Sequence, residues 1–169
     1  MINRHSISSF FCSLALPLSL LISCTQNNKS LLTAAQAITV KDSVIALTDH
    51  TAKDISAKGP IAWLNYFENS PNFFMASDGD LAFKDYISAN TFIKNTLIHQ
   101  IQSIKLSFSS VRIDPMSEQF ASIGASFHED ITGFSGKAMP FDGYFTAIAH
   151  QTPKGWKYLN MHWSIRKVK

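Results

Sequence analysis

At Ile101 the apolar residues of this chain stop recurring at helical spacing and begin to alternate, and they keep alternating nearly to the C-terminus. Long period-two segments cover about 102–113, 119–131, 142–151 and 155–167. Asp114-Pro115, the stretch from Gly133 to Pro140, and Pro153-Lys154-Gly155 divide them. Alternate residues of a strand share one face. Strands joined this closely pair antiparallel, so the C-terminal half predicts a meander. One face of the 119–131 segment holds Ala121, Ile123, Ala125 and Phe127, and the other Ser122, Gly124, Ser126 and His128. Ile104, Leu106 and Phe108 begin a matching apolar face in the segment before it. In the last segment Leu159, Met161, Trp163 and Ile165 alternate with Tyr158, Asn160, His162 and Ser164. With a symmetric turn over 151–155, His150 faces Trp156, Thr146 faces Asn160 and Tyr144 faces His162. Phe145, Ala147 and Ala149 then join the Leu159 face. Burying the apolar face gains about 25 cal/mol per Å², whereas burying the other would demand a hydrogen-bond partner for every polar group.

The half before Ile101 reads as helices around one hairpin. Val44, Leu47, Thr48, Thr51 and Ile55 recur at helical spacing between Thr39 and Lys58, and Gly59-Pro60 ends that helix and starts another. The second, Ile61 to Glu68, is short and carries Trp63, Tyr66 and Phe67. Phe73 to Ser77 reads as a strand, Asp78-Gly79 as a tight turn and Leu81-Ala82-Phe83 as its return. Asp85 is placed to cap a third helix from Tyr86 to about Gln100, with Ile87, Phe92, Ile93 and Leu97 inward. Helices followed by an antiparallel meander predict an α+β domain with the helices on one face of a curved sheet.

The N-terminus reads as a targeting segment. Arg4 precedes an apolar stretch from Ile7 to Ile22 that serines and Pro17 interrupt, a secretory pattern too short and broken for a membrane span. Leu21-Ile22-Ser23-Cys24 resembles a bacterial lipobox, which predicts a signal peptide over 1–23 and lipidation of Cys24; an ordinary cleaved signal with a chance cysteine is the alternative. Acyl chains contribute about 0.8 kcal/mol per buried methylene, so two or three of them anchor a protein stably in a membrane. Thr25, rather than an aspartate, follows the cysteine, which by resemblance favours the periplasmic face of an outer membrane. Both cysteines, Cys12 and Cys24, fall in this segment, leaving the domain at 38–169 without a disulfide or a thiol nucleophile. Residues 24–37 are small and polar and predict a flexible tether. With a net charge of only +3 and no basic patch interleaved with aromatics, nucleic acid is not an expected partner.

The order helix, short helix, hairpin, helix, meander resembles the nuclear transport factor 2-like, or SnoaL-like, superfamily. Two stretches carry the likeness locally. FFMASDGDLAFKDYISANTFI is similar to the family's hairpin and third helix, and GYFTAIAHQTPKGWKYLNMHWS to its final hairpin. The resemblance implies a cone in which the sheet curls around the helices and leaves an apolar cavity. The apolar face of the meander is then concave. Ala121, Ala125, Ala147 and Ala149 leave room there, and the predicted pocket is lined by Trp63, Tyr66, Phe73, Phe127, Phe145, Leu159, Met161 and Trp163. The alternative is that helix side chains fill the space.

Enzymes of this fold commonly place a carboxylate or histidine in the cone as a base and a tyrosine or second acid as a donor, so the resemblance directs attention to acids on the concave face. Parity puts Glu129 there, two residues beyond Phe127. Tyr66 is the candidate donor, and Asp54 a second acid near the mouth. Asp78, Asp80 and Asp85 fit turn and cap geometry instead. His128, His150 and His162 share the polar face but are spaced too far apart along it to converge on one ion, so no metal or other cofactor is expected. Family members often dimerise through the outer face, which predicts a homodimer seam over Tyr144, Thr146, Tyr158, Asn160, His162 and Ser164; a solvated face is the alternative. Three functions remain open: a lipid-anchored module binding a small apolar molecule, an isomerase, cyclase or dehydratase with a pocket carboxylate, and an interaction module with a filled cone.

Overall fold

A computed structural model describes residues 32–166. The signal segment, Cys24 and most of the tether lie outside the described residues. Helix α1 (Ala34–Lys58) starts earlier than the apolar spacing implies, because Thr33 and Gln36 form a capping box. The Gln36 backbone N–H donates to Thr33 Oγ1 (3.2 Å), and Thr33 N–H donates to Gln36 Oε1 (2.9 Å). Residues 34–37, expected as the end of the tether, are therefore the first turn of the helix. The five apolar and threonine positions read from the spacing (Val44, Leu47, Thr48, Thr51 and Ile55) are all buried, with Val40 one turn earlier.

A 3₁₀ helix (Pro60–Asn65) replaces the expected α-helix over 61–68. Beyond it the chain extends, and Phe67 bridges Tyr158 in parallel. Strands β1 (Phe74–Ser77) and β2 (Asp80–Phe83) form the hairpin. Asp78 (φ 50°) and Gly79 (φ 99°) make its turn in the left-handed region that such a two-residue connection requires. Asp78 Oδ1 accepts from the Ile165 N–H (2.8 Å), tying the turn to the last strand.

Asp85 caps α2 (Tyr86–Phe92) in a second capping box with Ser88. The helix then passes into a π-helical turn (Ile93–Leu97) and ends at Gln100. The extra residue of the π turn shifts the helix phase. Ala89 and Ile93 face the core, while Ile87, expected inward, is 73% exposed, and Phe92 is 40% exposed but packs on Phe83 at 5.5 Å between ring centroids.

The meander consists of β3 (Ile101–Pro115), β4 (Phe120–Gly133), β5 (Ala138–Thr152) and β6 (Gly155–Ile165). The sheet has six strands in the order β2-β1-β6-β5-β4-β3, antiparallel except where β1 runs parallel to β6. Ala121, Ile123, Ala125 and Phe127 are buried, as are Phe145, Ala147 and Ala149, so the face read from alternation is the one turned to the core.

The β5–β6 register departs from the symmetric turn. His150 pairs with Lys157 and Ala149 with Tyr158, then a bulge intervenes, and Thr146 pairs with His162 and Tyr144 with Ser164. An extra residue in one strand shifts parity across the bulge. Tyr158, expected on the outer face, instead points inward and is fully buried, its hydroxyl donating to Thr51 Oγ1 (3.1 Å). Burial pushes that phenol's pKa up. The Thr51 hydroxyl in turn donates a hydrogen bond to the Leu47 carbonyl (2.7 Å). Leu159 occupies the bulge and is only half-buried.

Candidate functional site

One end of the cone is hollow. A cavity of about 340 Å³ lies between the β1–β2 hairpin, the π turn and the concave face of β4–β6. Four of the eight residues predicted as its lining are there: Trp63, Phe127, Met161 and Trp163. Trp163 meets the edge of Phe127 at 4.4 Å between ring centroids and that of Trp63 at 5.7 Å. Phe127 lies flat on β5 because Gly143 has no side chain: a Cβ there would come within 2.5 Å of the ring and into the Ser164 carbonyl.

The other expected lining residues lie elsewhere. Phe73 and Phe145 are fully buried in packed core, the first stacked on Phe67 at 4.6 Å and the second between Trp163 and Tyr158. Leu159 sits on the bulge away from the cavity. Tyr66 turns toward α1, where its hydroxyl donates to Asp54 (2.9 Å) with the His50 carbonyl 3.0 Å away. Phe67, its neighbour in the extended segment, lines the cavity in its place. The lining also includes Ile165, which alternation places on the concave face, and Phe141 and Ile131, which sequence reading did not name. Alternation could have found both, since each lies an even number of residues from a named concave residue. Phe92, Ile93 and Leu97, read as inward on the third helix, line it as well, and Phe83 joins them from the hairpin.

Glu129 is the one charged side chain in this lining, with Ser77 and the indole N–H groups of Trp63 and Trp163 as the other polar side-chain groups. Its strand neighbours are Leu106 and Phe141. Burial alone pushes its pKa up from 4.5 to about 7, with no hydrogen bond or nearby charge acting against that. A carboxyl group so placed can hold or release a proton near neutrality. Asp54 and Tyr66 do not share the cavity. Lys58 (2.9 Å) and Tyr66 hold the Asp54 carboxyl below its ordinary range, whereas burial and that carboxylate push the Tyr66 phenol up to about 12. Three candidates from one expected constellation thus occupy two separate places.

The convex face carries Tyr144, Thr146, Asn160, His162 and Ser164, with the Tyr144 ring lying across Gly124. Tyr158 is absent from it. The histidines of the polar face have separate surroundings. His128 pairs with Asp142 (2.9 Å), and His150 pairs with Glu68 (2.8 Å) while stacking on Phe120 at 4.4 Å. Among the described residues no group of three or more His, Cys, Asp and Glu side chains converges on a common point.

A curved mixed sheet wrapped on N-terminal helices, hollow at one end, defines the α+β cone class. The particular fold is the nuclear transport factor 2-like fold. A nuclear transport factor 2-like superfamily protein from Salmonella enterica superposes with a TM-score of 0.66 at 16% identity, over 78% of this chain and 94% of that one. A scytalone dehydratase candidate from Novosphingobium aromaticivorans gives 0.70 at 8% identity, over 80% and 89%. A hexachlorocyclohexane dehydrochlorinase of the LinA type from Novosphingobium barchaimii gives 0.64 at 7% identity, over 81% and 93%. No family model matches the chain. No curated protein matches it either.

Proposed function

We propose that this protein is a binding module that takes a small apolar molecule into the cone, and that in the cell it is a lipoprotein held at the envelope by Cys24, facing the periplasm. The observation that carries the binding reading is the cavity itself: about 340 Å³, walled by aromatic and aliphatic side chains, with a single ionisable group. Ligand sites have that size and that mixture of apolar wall and few polar groups. A filled cone does not fit this space. A homodimer through the convex face, with Tyr144 and His162 at the seam, accords with the exposed aromatic and polar row there.

Trp63 and Trp163 line the cavity, so ligand entry changes their fluorescence. Titration with naphthalene, an uncharged probe, should give a saturable one-to-one change in emission. Replacing Ala82, a lining residue at the mouth, by Trp should abolish that change. A linear, unsaturable response in the natural protein would rule the reading out, as would an undiminished response in Ala82→Trp.

A second reading is favoured by one observation, the lone cavity carboxyl with its pKa near neutrality. Among the structural neighbours are a dehydratase candidate and a dehydrochlorinase, and proton abstraction by Glu129 would be chemistry of that kind. Tyr66 and Asp54, engaged with each other outside the cavity, would take no part, which leaves Ser77 and the indole N–H groups of Trp63 and Trp163 as the accompanying polar groups. A saturable ligand that is itself recovered chemically unchanged supports the binder over the enzyme.

A further inference from the structure

We propose that the ligand class of this cavity is an apolar organic cation, an amine whose charged nitrogen pairs with the Glu129 carboxylate while its hydrocarbon body fills the aromatic space. The inference rests on the cavity-binding reading above and narrows it. Glu129 lies in the wall with no protein cation or hydrogen-bond donor assigned to it, and the residues lining the cavity include no Lys, Arg or His. A buried carboxylate without a counter-charge is costly, so the protein alone either leaves that cost standing or keeps the group protonated. An anionic ligand would be repelled, and a neutral hydrocarbon would leave the carboxyl unpaired. An ammonium group supplies both the missing charge and the donors.

The remaining wall suits the same guest. Trp63, Trp163 and Phe127 meet edge to face around the cavity. Aromatic rings attract cations through their negative faces, tryptophan most strongly, and more so where water is excluded. A carboxylate beside several aromatic rings is therefore a site for an amine with an apolar substituent. The elements packed around Glu129 present Leu106, Phe141, Trp63, Phe92 and Leu97, none of which titrates. Glu129 is thus the one group in the wall whose ionisation can govern binding.

Calorimetric titration of the full chain with 2-naphthylmethylamine and with 2-naphthylmethanol separates charge from shape. The amine should bind at least tenfold more tightly than the alcohol at pH 8. Its affinity should fall by about tenfold per pH unit below pH 7 as Glu129 takes up its proton, while the alcohol's does not. In Glu129→Gln the preference for the amine should vanish, and continued binding of the alcohol shows that the cavity is still formed. An alcohol that binds the natural protein as tightly as the amine overturns the inference and leaves the binding module standing. An amine preference that survives Glu129→Gln overturns it as well. Failure of both probes to bind removes the inference and the cavity reading together.

Discussion

Glu129 stands on β4 two residues past Phe127, with its carboxyl facing the hollow end of the cone. In the unfolded chain that carboxyl ionises near 4.5, and in the folded protein near 7. Between those values the folded state holds a proton that the unfolded state has released. Folding stability should therefore be highest below the lower value, decline as pH rises toward the upper one, and level off above it. The full difference is at most about 3 kcal/mol. Glu129→Gln removes the titration, so at pH 8 it should be more stable than the natural protein by up to that amount, with the gap closing near pH 4.5. Urea denaturation at pH 5 and pH 8 measures this, and parallel profiles for the two proteins would sink it. The position of Glu129 was legible because it continues an alternation that begins at Ala121. That of Tyr66 was not. It follows a 3₁₀ turn and precedes an extended bridge to β6, where neighbouring residues point to opposite sides. Tyr66 and Phe67 thus divide between helix α1 and the cavity, and no period in the sequence says which goes where.

At the scale of elements, two single-residue insertions interrupt the periods. The bulge at Leu159 turns Tyr158 inward to Thr51, and a π turn follows α2 in the third helix, which sends Phe92, Ile93 and Leu97 to the cavity and leaves Ile87 in solvent. Alternation and helical spacing are legible only while they are unbroken. Each insertion resets the phase without leaving a characteristic residue behind. Strand β5 has no such break beside the cavity, and its parity carries through Gly143 to Phe141. Gly143 is the point at which three strands are fitted together, because the Phe127 ring of β4 and the Ser164 carbonyl of β6 both occupy the space of its missing side chain. Gly143→Ala should destabilise the fold by about 1–3 kcal/mol, the usual range for overpacking. It should also lift Phe127 from the sheet and weaken naphthalene binding. Urea denaturation and the fluorescence titration test the two effects separately, and an alanine variant equal to the natural protein in both would refute the close fit.

The element order and the apolar face of the meander were legible across the whole molecule, because an α+β cone needs little more than helical spacing, one tight turn and alternating strands. What the sequence left unread was the depth of the cone. Packed core and cavity wall use the same aromatic residues, and Phe145 and Trp163, neighbours across β5 and β6, fall on either side of that division. Lipidation of Cys24 predicts that the natural protein partitions into detergent on phase separation and that Cys24→Ser stays in the aqueous phase; unchanged partitioning would refute the anchor. Gln36, in the first turn of α1, donates to Glu118 in the β3–β4 turn, so the start of the domain is fixed at that turn. Glu129 lies eleven residues further along, and at the rise of an extended strand that is roughly 35 Å away. If Cys24 carries the anchor proposed above, that distance sets Glu129 and the hollow far along the domain from the point where the tether joins it, so a guest could be taken up without the cone touching the bilayer.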